Sequence, residues 1–230
     1  MVKKLCFASV DVEESTDDLG KILDFFKRHD IRATLFTTGH ILQKHPDLAK
    51  DWARTYEIAC HGFTHRFWSD LDLKEKENEL NDFIGLYQNI FGNRPKGFRA
   101  PSHLIDKDGL RLLEQKGFLY DSSIVPHYPP FKKYRGYRGR FPLLPHYPTG
   151  LKILEIPVRG QMFGIPLAGA WIRKLPVWFY KILFLIYCPK FITLSFHSWE
   201  KSKKFEEIIK LLKNKNYQFL NGAEIYKNYR

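Results

Sequence analysis

Apolar positions in the first hundred residues alternate between two periods. Short runs of strand type at 5–10, 33–36 and 56–60 are separated by stretches with helical spacing. Leu19, Ile22, Leu23, Phe25 and Phe26 mark the first helix, which should stop near His29-Asp30, and a second is expected over about 41–53. Ser15 or Thr16 is a suitable N-cap for the first. A β-α-β-α-β order with short links predicts a parallel sheet or barrel whose site lies at the carboxyl ends of the strands.

The alternation continues beyond residue 70. A long polar helix over 71–91 has Leu80, Phe83, Ile84, Tyr87, Ile90 and Phe91 as its inner stripe, and Gly92 ends it. A short strand runs into Phe98-Arg99-Ala100-Pro101, a helix over 108–116 closes at Gly117, and strands are expected at 118–120, 153–157 and 191–196. A helix over 203–213, a strand at 218–220 and a basic terminal helix complete the chain.

Two segments depart from this pattern. Prolines, aromatics and the basic run 132–140 make about 126–150 an irregular excursion, read as a solvated loop first, an anionic-substrate rim second and a nucleic-acid contact third. The most apolar part of the chain, 167–186, is interrupted by Arg173, Lys174, Pro176 and Lys181, which argues against a spanning helix. Its Trp171, Trp178, Phe179 and Phe184 sit among basic residues, so either a helix on an anionic membrane surface or a core-packing helix fits.

Composition narrows the class without choosing the chemistry. With 44% hydrophobic and 27% charged residues in 230, the chain is globular, and residues 1–230 are expected to form a single domain. Lys and Arg exceed Asp and Glu by 37 to 25, favouring an anionic partner or surface. Cys6, Cys60 and Cys188 fall in apolar runs and read as reduced core thiols. The apolar run before Asp11 is too short for a signal peptide, so a cytoplasmic location is expected, with membrane association compatible.

Chemistry gathers where the apolar runs end. The third strand enters Cys60-His61-Gly62-Phe63-Thr64-His65, and a helical turn there would stand His61 and His65 one turn apart, able to share a metal ion. The first strand ends in Asp11-Val12-Glu13-Glu14, where alternation puts Asp11 and Glu13 on one side and leaves Glu14 to begin the next helix. Arg99 occupies the corresponding place on the fourth strand and can pair with Asp11; alone it would read as a surface guanidinium. Asp121 follows the fifth strand, and His197 ends the clearest strand of the second half.

Taken in order, these strand-end residues resemble the polysaccharide deacetylase family, also called carbohydrate esterase family 4 or the chitooligosaccharide deacetylase homology domain. The likeness is most specific over 31–39, 57–65 and 98–101. It implies a distorted, incomplete (β/α) barrel holding a divalent metal, usually zinc, with cobalt, manganese or nickel as alternatives. By position, Glu13, His61 and His65 would be the metal ligands, with Glu14 an alternative to Glu13. Asp11 would be the catalytic base and Arg99 its holder, His197 the general acid, and Asp121 the group tuning that histidine. Ser102-His103 stands where many members have Tyr-Gly, so the groove wall should differ. Residues 164–176 and 196–200 look most like a branch associated with exopolysaccharide and cell-surface glycans.

The implied activity is metal-dependent removal of an N-acetyl group from an amino sugar, free, in a glycan or on a lipid carrier. A cyclic amide or ureide hydrolase of the same superfamily is the alternative enzyme. A non-catalytic glycan- or nucleic-acid-binding domain with a vestigial site is the alternative outside catalysis, disfavoured by the complete residue set; a nucleic-acid partner is not expected.

Overall fold

The structure, a computed structural model, describes residues 4–126, 141–158, 167–200 and 203–230. The basic run 132–140 and the stretch 159–166 lie outside the described residues. The first half forms β1 (Lys4–Val12), α1 (Leu19–Arg28), β2 (Thr34–Thr37), α2 (Gly39–Lys44), α3 (Pro46–Ala53), β3 (Glu57–Cys60), α4 (Leu73–Phe91), β4 (Gly97–Phe98), α5 (Lys107–Gln115) and β5 (Tyr120–Asp121). The second half forms β6 (Leu154–Glu155), β7 (Leu167–Ala168), α6 (Gly169–Lys174), α7 (Val177–Ile186), β8 (Phe191–His197), α8 (Lys203–Asn214), β9 (Tyr217–Leu220) and α9 (Gly222–Tyr229). All named strand pairs are parallel, in the order β6-β5-β4-β3-β2-β1-β8-β7, with β9 beside the start of β1.

Period-two alternation divides this sheet into two faces. Cys6, Ala8, Val10 and Val12 of β1 join the large cluster under the helices, as do Ile192, Leu194 and Phe196 of β8. Phe7, Phe36, Ala59, Tyr120 and Phe191 form a second, smaller cluster with Leu220 and Ile225. These belong to opposite faces because successive strand side chains point opposite ways. The result is an incomplete barrel, its helices outside and its small core within.

That inner face is graded along the strands. On β1 it reads Leu5, Phe7, Ser9, Asp11, and on β8 Phe191, Thr193, Ser195, His197, with Phe7 opposite Thr193, Ser9 opposite Ser195 and Asp11 opposite His197. Apolar side chains therefore plug one end, and ionisable groups collect at the carboxyl end.

Several local expectations are corrected. The single helix over 41–53 is two, because Pro46 has no N–H to continue α2 and instead starts α3 at its first turn. The long polar helix starts at Leu73, fixed by a capping box in which Asp72 Oδ1 accepts from Glu75 N at 2.8 Å and Glu75 Oε2 accepts from Asp72 N at 2.9 Å. Asp18, neither Ser15 nor Thr16, precedes α1 as N-cap; Ser15 Oγ instead accepts from Asp17 N at 3.0 Å. The apolar segment 167–186 is a short strand and two helices parted at Pro176. No helix among the described residues is long and apolar enough to cross a membrane. Cys6, Cys60 and Cys188 are free thiols.

Candidate metal and catalytic centre

Four strand ends build the site. Asp11 leaves β1, His61 follows β3, Arg99 follows β4 and His197 closes β8. Because Asp11 and His197 are in register, two ionisable residues 186 positions apart in the sequence become neighbours across one strand pair.

Arg99 is the fully buried centre of the arrangement. Its Nη1 donates to Asp11 Oδ1 at 2.7 Å, Ser9 Oγ at 2.9 Å and Ser195 Oγ at 3.0 Å. Nη2 donates to Ser122 Oγ and Nε to the Ser122 carbonyl, both at 3.0 Å. The guanidinium carbon lies 4.1 Å from the centre of the Phe36 ring. Burial alone would raise the Asp11 pKa, but Arg99, with His61 and His197 behind it, holds that carboxyl below the usual aspartate value. Asp11 is thus ionised at neutral pH.

The histidine pair is close, with ring centroids 5.1 Å apart, but no helix carries it. Gly62 at φ +76° and His65 at φ +63° curl the chain after β3 into a loop that returns both rings to one point. Only glycine adopts the first conformation without steric cost. The loop is held from two sides. Gly39 N donates to the Gly62 carbonyl at 3.0 Å and His40 N to the Phe63 carbonyl at 3.1 Å, and a Cβ on Gly39 would lie 2.2 Å from the Phe63 ring. From α4, Glu79 Oε2 accepts from Phe63 N at 2.7 Å and Thr64 N at 2.9 Å, and Oε1 accepts from Thr64 Oγ1 at 2.5 Å.

Glu13, His61 and His65 bring one donor atom each to within 4.8 Å of one another. Glu14 is exposed, so the ambiguity between the two acids resolves to Glu13 in geometry. His61 Nδ1 lies 2.8 Å from the Arg99 carbonyl, which can only accept, so the ring proton belongs on Nδ1. Nε2 then presents a lone pair to Glu13 Oε2 at 3.2 Å, and His65 Nε2 contacts the same oxygen. Acceptors facing acceptors require a cation between them, either a proton or a metal ion. Two imidazoles and one carboxylate suit zinc with an open coordination position. Burial alone would raise the Glu13 pKa, but the imidazoles around it hold the carboxyl far below its usual value.

His197 is clamped rather than free. Trp199 stacks on it at 4.6 Å and 14°, and Glu200 Oε2 accepts from His197 N at 2.8 Å while standing 3.2 Å from Nδ1. Arg173 of α6 pairs with the other oxygen of Glu200. His197 Nε2 faces Glu13 Oε1 at 3.5 Å, so the ring looks into the metal-type cluster.

Asp121 does not meet His197. Ser123 donates to it twice, from Oγ at 2.6 Å and from N at 3.1 Å, and its carboxyl adjoins Glu155. Four strands, β4, β3, β2 and β1, intervene between β5 and β8. The acid beside His197 is Glu200, three residues away on the same turn, in the place that the family resemblance assigned to Asp121.

One site feature escaped the sequence reading, and another was read there only as an altered groove wall. Glu79 belongs to the inner stripe of α4, four residues before Phe83, and a carboxylate in a buried helical stripe is the signal that finds it. His103 and Ser102 both have left-handed backbone, φ +58° and +54°, in the turn after Pro101. Burial and the nearby Arg99 charge push the His103 pKa down to about 3, so it borders the site as a neutral ring.

Comparison with known proteins agrees with this geometry. A family model described as polysaccharide deacetylase matches residues 4–120, which include Asp11, Glu13, His61, His65 and Arg99. A peptidoglycan deacetylase-like protein of Gibberella zeae is 38% identical over 112 residues, 47% of this chain and 33% of its own length. The chain thus spans about a third of that relative. A solved peptidoglycan N-acetylglucosamine deacetylase superposes with TM-score 0.69 at 16% identity, covering 98% of this chain and 89% of the other. A CE4-family pseudoenzyme from Bacillus anthracis does so with TM-score 0.69 at 14% identity, covering 97% and 66%. At such identities the structural likeness establishes the incomplete barrel and nothing about activity.

Proposed function

The chain belongs to the polysaccharide deacetylase family, and from that premise we propose that it hydrolyses the N-acetyl group of an amino sugar in a glycan or lipid-linked saccharide. The observation that carries this is the convergence of Glu13, His61 and His65 on one point, beside an Asp11 held by Arg99 and facing His197 across the strand pair. A divalent metal, zinc by its donor set, held by Glu13, His61 and His65 would acidify a water and polarise the acetyl carbonyl.

Asp11 takes the proton of the water as its oxygen attacks the acetyl carbon. Arg99 fixes the carboxylate through Oδ1 and keeps it ionised. His197 gives a proton to the sugar nitrogen as the carbon–nitrogen bond breaks, which turns a poor amide leaving group into an amine. Acetate and the free amino sugar leave. Trp199 and Glu200 set the plane of the His197 ring, and Arg173 braces Glu200 from α6. Asp121 holds Ser123, whose hydroxyl accepts from Ala100 N next to Arg99.

A vestigial binding domain would be expected to lack the base, a ligand or the acid, and this chain has all of them. The described residues share one sheet, which supports reading 1–230 as one domain.

Elemental analysis of purified protein, paired with acetate release from N-acetylated sugars, tests the proposal. About one equivalent of metal is expected, lost in a His61→Ala, His65→Ala double variant. Asp11→Asn should keep the metal and lose acetate release by about 10² to 10⁴-fold. A protein that cannot be loaded with metal overturns the reading.

A further inference from the structure

Helix α7 is apolar on both sides, and only one side is used by the fold. Tyr180, Leu183 and Phe184 are buried in the large core, where the helix packs on α8. Trp178, Ile182, Leu185 and Ile186 recur at i, i+4, i+7 and i+8 on the opposite face, exposed by 62%, 45%, 74% and 72%. Among the described residues Leu185, Ile186 and Trp178 are the most exposed large apolar side chains. A contiguous apolar stripe of this kind on a globular protein marks a contact surface.

The charge around the stripe says which surface. Between Glu155 and Glu200 the sequence has no acidic residue but holds Arg159, Arg173, Lys174, Lys181 and Lys190. Lys181 stands within the stripe, one turn from Trp178 and Leu185, and Lys190 is exposed just past its end. Lysine beside tryptophan and leucine suits a layer where phosphates meet acyl chains. The helix has ten residues and so runs about 15 Å, half of the roughly 30 Å hydrocarbon core, which restricts it to lying in the interface plane.

We propose that the outward face of α7 seats the protein on an anionic phospholipid bilayer, with Trp178, Ile182, Leu185 and Ile186 entering the headgroup boundary and Lys181 and Lys190 meeting lipid phosphates. The preceding helix, α6, ends two residues before α7 and carries Arg173 onto Glu200 beside His197. The other end of α7 leads through Lys190 into the start of β8, so the stripe runs from the site end of the sheet toward its opposite end. The lipid contact stands independently of the deacetylase reading, since neither the stripe nor its lysines enter the reaction.

Co-flotation of the intact chain with vesicles tests it, using phosphatidylcholine alone and phosphatidylcholine with about one third phosphatidylglycerol. Binding is expected to the anionic vesicles only, weakened by 0.5 M salt as an order-of-magnitude screening condition. Leu185→Ser with Ile186→Ser should reduce it about tenfold or more and Lys181→Gln about fivefold, with unchanged melting temperatures because these side chains hold nothing in the core. The proposal falls if the anionic vesicles do not bind, if the serine variant binds as well as the parent, or if the parent is a dimer that the serine variant dissociates. The last outcome would assign the face to a second copy of the chain.

Discussion

Arg99 is a fully buried cation whose donors are shared among Asp11, two serine hydroxyls of neighbouring strands and both Ser122 oxygens. Such a charge is tolerated only when paired and hydrogen-bonded, so removing Asp11 would cost stability as well as activity. Beneath it, burial raises the Asp121 carboxyl, and burial together with Asp121 pushes Glu155 well above its ordinary 4.5. Two adjacent buried carboxyls keep one proton between them. The folded state therefore binds a proton that the unfolded chain has released above about pH 4.5, and stability falls as pH rises from there toward the folded value. Glu155→Gln removes that proton requirement. Its melting temperature should equal or trail the parent's near pH 4.5 and exceed it at pH 8, as read by calorimetry; a difference independent of pH would contradict the shared proton.

At the scale of elements, the metal-type site depends on how α4 meets the loop after β3. Glu79 satisfies two backbone N–H groups and one hydroxyl of the segment between His61 and His65, although it touches neither histidine. It acts by holding the loop in a left-handed shape that His65 does not favour on its own. Outer supports of this kind set ligand direction, and their loss weakens metal binding. Glu79→Ala should lower zinc affinity by about 10- to 100-fold in a calorimetric titration, while Glu79→Gln, which keeps one acceptor oxygen, should lose less. Equal affinity in all three proteins would show that the loop holds its shape without α4.

For the whole molecule, the ends of β1 and β3 bring Glu13, His61 and His65 around one ion-sized point, so occupancy of that point is coupled to folding. Metal at about one hundred times its dissociation constant should stabilise the fold by about 2.7 kcal/mol, which is roughly 5–10 °C for a chain of this size. Scanning calorimetry with zinc, and again after a chelator, reads the shift directly. The His61→Ala, His65→Ala variant should show none. A shift that survives in the variant would place the bound ion elsewhere.

Local chemistry made much of this legible in advance. A strand whose apolar run stops at Asp11, a strand delivering His61, and another ending in His197 are signals carried by adjacent residues. Period-two alternation then places Asp11 and Glu13 on one side without any knowledge of the fold, and the order of strands and helices points to a parallel sheet or barrel, which the family resemblance narrows to an incomplete barrel. What needed tertiary structure was every relation between distant segments: the register that sets Asp11 opposite His197, the α4 carboxylate that shapes the histidine loop, and Glu200 rather than Asp121 beside His197. The helical turn expected between His61 and His65 also failed there, because spacing alone cannot tell a helix from a loop that returns on itself. Side-chain type and period are local properties of the chain, whereas partners chosen through a barrel interior depend on which strands close upon which, and that is decided only when the sheet has curled.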